Sequence, residues 1–169
     1  GGAGGGGKSV ALLAGALQYA DIPGYGALVL RRTFPQLAQP NGHIPRSHAW
    51  LAQTDARWSA QDRMWHFPSG AVLKFGYLDT ATDKYQYQGA QYQYVGFDEL
   101  TQFNEDDYTF LFGWLRKPSE GPLARVPLRM RSASNPGGIG HDWVKRRFNI
   151  GLGPHPDRPF IPARAQDNP

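Results

Sequence analysis

Hydrophobic positions along the chain follow two patterns, one typical of helices and one typical of buried strands. Early in the sequence, apolar residues recur at i, i+3, i+4 and i+7 and predict an amphipathic helix that stops at residues 21–24. A continuous apolar run at residues 26–30 predicts a strand buried on both faces, as in a parallel sheet. Residues 92–97 and 127–134 predict two more strands. The apolar stripe of the first helix consists of Val10, Leu13, Ala14 and Leu17.

The middle of the chain predicts a β-hairpin after an irregular stretch. Residues 35–62 are polar, with only weak helical signals. Residues 64–67 and 71–78 follow and flank Pro68-Ser69-Gly70, which is a turn sequence. The pattern therefore places a hairpin between the buried strands.

Two further helices are predicted in the second half of the chain. Asn104 can cap a helix with an acidic first turn, and residues 141–148 form a short basic helical pattern. Helices that alternate with buried strands predict an α/β domain, with a mostly parallel sheet flanked by helices and a β-hairpin insertion. The helix after Asn104 is expected to bury Phe110, Leu111, Trp114 and Leu115.

Composition fits one domain with a real core, since 40% of the 169 residues are hydrophobic. The absence of cysteine excludes disulfides and thiolate metal sites and suits a reducing cytoplasm, and no apolar run approaches a membrane span. Lys and Arg exceed Asp and Glu by 18 to 14. Eight basic residues but only two acidic ones lie between Arg116 and Arg147, a block that fits either a polyanionic partner or a solvated basic face.

The glycine-rich start of the chain satisfies the phosphate-loop pattern G-x-x-x-x-G-K-[ST]. Glycine amides can wrap a phosphate, Lys8 would reach the β- and γ-phosphates of ATP, and Ser9 would bind Mg²⁺. A flexible linker is the alternative, although a linker does not need Lys-Ser followed at once by an amphipathic helix. The candidate ATP-binding residues are Gly2, Gly4, Gly5, Gly6, Gly7, Lys8 and Ser9.

Two strand ends carry the other candidate catalytic groups. The strand at residues 92–97 ends in Asp98 and Glu99, where Asp98 would hold Mg²⁺ and Glu99 would deprotonate the attacking water. An acidic strand end is common by itself, but a phosphate loop upstream makes the combination specific. Asn135 follows the next strand and could contact the γ-phosphate, although Asn-Pro-Gly-Gly alone is also an ordinary turn.

In several stretches, in the same order, the chain resembles the large subunits of phage terminases. These stretches are Lys8-Ser9 with its glycine-rich loop, and residues 30–35, 65–70, 87–89, 97–101, 134–138 and 140–148. The resemblance implies a P-loop NTPase of the additional-strand, catalytic-glutamate type, in which Mg-dependent ATP hydrolysis drives duplex DNA into a procapsid. It also implies that Asn135 belongs to the motif that couples hydrolysis to movement.

The same resemblance sets expectations for partners and extent. We expect residues 1–169 to be a partial ATPase domain, cut short at both ends and without the nuclease domain of the family. The implied partners are double-stranded DNA, the portal protein, the small terminase subunit and further copies in a ring, in the host cytoplasm at the procapsid. Other DNA motors, such as helicases or recombination ATPases, and a non-catalytic nucleic-acid-binding fragment are the alternatives.

Basic residues complete the candidate site. Many terminases carry an arginine where Ala3 stands, so the charge that assists γ-phosphate cleavage must come from elsewhere. Arg31 and Arg32 are the candidate arginine fingers within the chain, with a neighbouring subunit as the other source. Lys145, Arg146 and Arg147 are the candidate DNA contacts.

Overall fold

The computed structural model describes residues 7–162, and six strands in this part form one mixed sheet. The strands are β1 (Gly26–Arg31), β2 (Arg57–Ser59), β3 (Met64–His66), β4 (Val72–Tyr77), β5 (Tyr94–Asp98) and β6 (Arg129–Ala133). Their order across the sheet is β2-β3-β4-β1-β5-β6. Strands β4, β1, β5 and β6 run parallel, whereas β3 is antiparallel to β2 and to β4.

Within residues 7–162, five α-helices and four short 3-10 helices precede, connect or follow the strands. The α-helices are α1 (Lys8–Leu17), α2 (Phe34–Ala38), α3 (His43–Leu51), α4 (Glu105–Phe110) and α5 (His141–Arg147). The 3-10 helices are Asp83–Tyr87, Leu100–Gln102, Leu111–Trp114 and Pro122–Arg125. Within residues 7–162, no helix has the length and apolar character needed to cross a membrane.

Both faces of the sheet are covered, as the apolar runs predict. Val29 of β1 points into a core shared with α1, α2 and α3, whereas its neighbours Leu28 and Leu30 point into a second core shared with α4 and α5. All three side chains are fully buried. The alternation of adjacent residues between two cores explains why β1 is apolar without interruption.

The predicted hairpin is confirmed, since β3 pairs with β4 across the turn at residues 68–70. A third strand, β2, pairs with the outer side of this hairpin. The sequence pattern does not predict it, because the strand has only three residues and they are partly or fully exposed. Helices α2 and α3 replace much of the stretch that the sequence pattern left irregular.

The buried face of α1 differs from the predicted stripe. Leu12, Leu13 and Ala16 are buried, whereas Val10 and Ala14 are exposed. The hydroxyl of Tyr94 donates a hydrogen bond to the carbonyl of Leu12 at 2.9 Å, and a Cβ on Gly15 would lie 2.9 Å from that hydroxyl. Small side chains therefore let α1 approach β5 closely, and this contact sets the rotation of the helix.

The helix after Asn104 is also shorter than predicted. It ends at Phe110 and continues as a 3-10 helix to Trp114. Leu111 is fully buried, but Phe110, Trp114 and Leu115 are only partly buried at the margin of the second core. Tyr108, which the pattern did not single out, takes the central position instead.

Candidate active site

Parallel strands bring the candidate residues to one edge of the sheet. Arg31 is the last residue of β1, Asp98 is the last residue of β5, and Asn135 lies two residues beyond the end of β6. Because these three strands are neighbours and parallel, their carboxyl ends meet. The N-terminus of α1 reaches the same edge and adds Ser9.

Asp98 is the centre of a buried polar cluster. The hydroxyl of Ser9 lies 3.1 Å from Oδ1 and 3.0 Å from Oδ2 of the carboxylate. The guanidinium of Arg31 donates to Oδ2 at 2.9 Å, and Nε2 of His43 lies 3.0 Å from the same oxygen. Asp98 is only 3% exposed, so water contributes little to its solvation and these partners replace it.

The charge of Asp98 is maintained despite its burial. Burial by itself raises the pKa of this carboxyl group, but the hydrogen bond and charge of His43, the charge of Arg31 and the hydroxyl of Ser9 lower it further than burial raises it. The net pKa lies below the ordinary value for aspartate. The cluster therefore presents an ionised carboxylate beside a hydroxyl.

Glu99 occupies a strained backbone position next to this cluster. Its φ of 56° and ψ of 55° are left-handed, which costs a residue with a Cβ about 1–2 kcal/mol. The backbone N–H of Asn135 donates to Oε2 at 3.1 Å, and Nδ2 of Asn135 donates to Oε1 at 2.8 Å. Both carboxylate oxygens are thus held by one residue of the neighbouring strand end. Strain that is maintained by such contacts is common at functional sites.

The two loops that carry Glu99 and Asn135 are joined by further hydrogen bonds. The hydroxyl of Ser134 accepts a bond from the backbone N–H of Thr101 at 3.1 Å, and the hydroxyl of Thr101 donates to the carbonyl of Asn135 at 3.1 Å. A Cβ on Gly138 would lie 2.6 Å from the carbonyl of Thr101. The Asn-Pro-Gly-Gly segment therefore touches the loop after β5 through Asn135 and Gly138, although its last three residues are exposed.

Only the end of the predicted phosphate loop lies within the described residues. Gly2, Gly4, Gly5 and Gly6 lie outside them, as does Ala3. Gly7 has a φ of 68° and immediately precedes α1, so a left-handed residue stands where the loop enters the helix. Lys8 and Ser9 form the first turn of α1, which brings Ser9 against Asp98.

The two candidate arginine fingers have different surroundings. Arg31 contacts Asp98, whereas Arg32 donates to the backbone carbonyls of Leu78 and Asp79, the latter at 2.7 Å. Arg32 also lies 3.8 Å from the buried carboxylate of Asp107. Burial raises the pKa of Asp107, and the positive charge of Arg32 acts in the opposite direction. Arg32 thus contacts the end of β4 and the start of α4.

The candidate DNA contacts lie on α5, which packs against α4. Arg146 and Arg147 pair with Glu105 at 2.6 and 3.2 Å. The guanidinium of Arg147 also lies over the ring of Tyr108, 5.2 Å from its centroid. Lys145 is exposed and forms no ion pair with any residue that the structure describes. Of the three, Lys145 is the residue whose charge is most available to a partner.

Sequence reasoning missed His43. It is the first residue of α3, is 2% exposed, and reaches Asp98 from 55 residues away in the chain. A lone histidine in a polar stretch carries no periodic or motif signal. A polar cavity of about 160 Å³ adjoins the cluster and is lined by Ser9, Arg31, Gln36, Gln39, Asn41, Gly42, His43 and Asp98.

The site and fold define an α/β protein that gathers a hydroxyl, two carboxylates and an amide at the carboxyl edge of its sheet, where such folds bind ligands. The family described as "Terminase large subunit, T4likevirus-type, N-terminal" matches residues 1–113. The chain belongs to this terminase large subunit family, and the resemblance seen in the sequence motifs is confirmed. No curated protein matches the sequence.

Solved structures of phage packaging proteins share the fold. Two crystal forms of the large terminase from a thermophilic bacteriophage superpose with TM-scores of 0.74 and 0.72 at 14% and 16% identity, and the second is in complex with ADP. Each match covers 99% of this chain and 40% of that chain. The N-terminal domain of the DNA packaging ATPase from bacteriophage phi29 gives a TM-score of 0.52 at 14% identity, covering 92% of this chain and 78% of that domain. The chain therefore spans 40% of the length of the thermophilic phage terminase.

Proposed function

We propose that the chain is part of the ATP-hydrolysing motor domain of a phage terminase, with the P-loop, additional-strand and catalytic-glutamate architecture. The observation that carries this proposal is the pairing of Ser9 with Asp98, beside a Glu99 whose carboxylate is held by Asn135. A phosphate-loop hydroxyl next to an acidic strand end is the arrangement that a magnesium nucleotide requires. The ADP complex of the thermophilic phage terminase, which shares the fold, gives further support.

The residues at this edge fit a magnesium ion by the chemistry of their donor atoms. Mg²⁺ prefers oxygen ligands and usually binds one or two protein oxygens together with substrate phosphates and water. The Ser9 hydroxyl and the ionised Asp98 carboxylate supply such oxygens within about 3 Å of each other. When bound, Mg²⁺ would neutralise phosphate charge that develops during cleavage.

In this proposal each residue of the candidate active site has one role. The amides of the glycine loop and the charge of Lys8 hold the phosphates, and Ser9 and Asp98 hold the metal. Glu99 orients the attacking water and accepts its proton. Asn135 positions the Glu99 carboxylate through two hydrogen bonds and links that group to β6.

The proposed task of the whole protein is to pump duplex DNA into a procapsid in the host cytoplasm, in a ring with the portal protein and the small terminase subunit. A packaging motor must move along any sequence, so we expect its DNA contacts to be made with phosphates. Lys145, Arg146 and Arg147 are proposed for these contacts. The exposure of Lys145 supports its role most directly.

The substitution Glu99→Gln tests the proposal. It keeps the size of the side chain and leaves Asp98 in place, so ATP and Mg²⁺ should still bind, whereas loss of the base should slow hydrolysis by roughly 10²- to 10⁴-fold. Binding is measured with a fluorescent ATP analogue and turnover by phosphate release, each with and without duplex DNA. Lys8→Ala is the comparison variant, for which nucleotide binding itself should weaken.

Two outcomes would contradict the proposal. If Glu99→Gln hydrolyses ATP at the rate of the unchanged chain, Glu99 is not the base. If the unchanged chain binds duplex DNA but neither binds nor hydrolyses ATP, it is a non-catalytic nucleic-acid-binding fragment. DNA-stimulated turnover is the result that supports a DNA motor.

A further inference from the structure

His43 contacts Asp98 through one specific oxygen of the carboxylate. Nε2 of His43 and the guanidinium of Arg31 both engage Oδ2, at 3.0 and 2.9 Å. The Ser9 hydroxyl lies between the two oxygens, 3.1 Å from Oδ1 and 3.0 Å from Oδ2. The carboxylate is thus fixed with Oδ2 turned towards His43 and Arg31.

His43 is itself held rigidly. It is 2% exposed, and its ring stacks on that of Phe75 with centroids 6.4 Å apart and planes at 22°. One turn later in α3, Ser47 accepts a hydrogen bond from the indole of Trp65 at 2.9 Å. These contacts tie α3 to β4 and β3, so the imidazole is supported by the sheet and cannot turn freely.

The hydrogen-bonding pattern of the ring points to a single task. An ionised carboxylate can only accept, so Nε2 must be the donor in the contact with Asp98. Nδ1 is buried and has no hydrogen-bond partner among the described residues. The polar contribution of His43 within the described structure is therefore its bond to Oδ2.

From this geometry we infer that His43 is a positioning residue for the cation that accompanies the nucleotide: its bond to Oδ2 fixes the orientation of the Asp98 carboxylate and leaves Oδ1 for the cation. This inference rests on the proposed function, because it assigns the oxygen with which Asp98 would bind the metal. Arg31 makes a similar contact but also brings a positive charge that opposes a cation.

The test replaces His43 by a residue that keeps the donor and by one that removes it. In His43→Gln the side-chain amide can occupy the position of Nε2, whereas His43→Phe keeps a planar ring without a donor. Mn²⁺ binding in the presence of ADP is measured by electron paramagnetic resonance, and ADP affinity is measured separately in EDTA. Asp98→Asn serves as the variant in which the cation ligand itself is changed.

We expect His43→Phe to weaken Mn²⁺ binding by roughly 10- to 100-fold, the usual effect of losing a partner that orients a metal ligand. His43→Gln should restore most of the affinity, and ADP affinity in EDTA should be the same for all three proteins. If His43→Phe does not fold, as judged by thermal unfolding, His43→Asn replaces it. Its shorter amide cannot reach Asp98, so the same weakening is expected.

The outcomes separate this inference from the proposed function. If the unchanged chain binds Mn²⁺ with ADP and Asp98→Asn does not, but His43→Phe binds as tightly as the unchanged chain, the inference is wrong and the proposed metal site stands. Equal weakening in the Gln and Phe variants would also overturn it, because the donor would then not matter. If the unchanged chain shows no Mn²⁺ binding with ADP, both proposals fail.

Discussion

Glu99 and Asn135 form the contact on which the proposed chemistry most depends at the level of single residues. A general base must point at the water that it deprotonates, but the three rotatable bonds of a glutamate side chain allow many positions of the carboxylate. Two hydrogen bonds from Asn135 and the left-handed backbone of Glu99 restrict the carboxylate to few of these positions. The same bonds would make the proposed base sensitive to any movement of the loop after β6, which agrees with the proposed coupling of hydrolysis to motion.

Replacing the amide of Asn135 by a carboxylate should disable the base without affecting nucleotide binding. In Asn135→Asp, a second carboxylate would replace the amide whose Nδ2 now lies 2.8 Å from Oε1 of Glu99. Like charges so close raise the pKa of one of the two groups or push them apart. We expect turnover to fall by about tenfold or more, because a repelled Glu99 carboxylate leaves the position from which it orients the attacking water. Phosphate release and binding of a fluorescent ATP analogue measure the two effects.

Asn135→Ser is the matched control for this variant. It removes the amide but brings no charge, and the backbone N–H of residue 135 can still donate to Oε2. Its turnover should therefore lie between that of the unchanged chain and that of Asn135→Asp. A lower rate for Ser than for Asp would show that charge repulsion is not the cause.

At the level of elements, the connection from α2 to α3 positions one side of the site. Gln36 of α2 donates to the side chain of Gln102, in the turn after Glu99, at 3.2 Å. Gly42, which precedes His43, passes very close to the end of α2: a Cβ at this position would lie 2.5 Å from the carbonyl of Leu37. The two helices are thus docked through backbone contacts that leave no room for a side chain.

Gly42→Ala should therefore affect both stability and the site. The added methyl group would collide with the Leu37 and Gln39 carbonyls, at 2.5 and 2.8 Å, so the backbone next to His43 must move. We expect a loss of about 1–3 kcal/mol in the free energy of unfolding and weaker Mn²⁺ binding with ADP. Gly113→Ala is the control, because no atom lies within 4 Å of a Cβ there. Equal stabilities in chemical denaturation would contradict this account.

Local patterns in the sequence were sufficient to predict much of this architecture. The apolar runs located β1, β5 and the hairpin, and the sequence pattern put Asp98 and Asn135 at the ends of strands, which the parallel pairing of β5 and β6 brings to one edge of the sheet. Neither the role of His43 nor the rotation of α1 could be predicted in this way. His43 reaches Asp98 only through tertiary packing, and α1 is turned by the contact between Gly15 and Tyr94.

At the level of the whole molecule, both arginines that were candidates for the finger are already engaged in contacts within the described part of the chain. Cleavage of a γ-phosphate gains roughly 10³-fold or more from an arginine that stabilises the transition state. Arg31 is bonded to Asp98, and Arg32 is bonded to the carbonyls of Leu78 and Asp79. Using either arginine as the finger would first break these contacts. This favours an arginine supplied by a neighbouring subunit, as a ring assembly would allow.

If the arginine finger acts between subunits, hydrolysis per subunit should rise with protein concentration at saturating magnesium-ATP.

Mixing with Lys8→Ala subunits provides the sharper measurement. They should not hydrolyse ATP, because the charge facing the phosphates is lost, but their surface arginines are unchanged and can still serve a neighbour. Adding them to a dilute solution of the unchanged chain should therefore raise phosphate release per active subunit, whereas an equal amount of an unrelated protein should not. A rate per active subunit that stays constant in both the concentration series and the mixing experiment would mean that the finger lies within the chain. Arg31, already at the site, would then be the residue to substitute first.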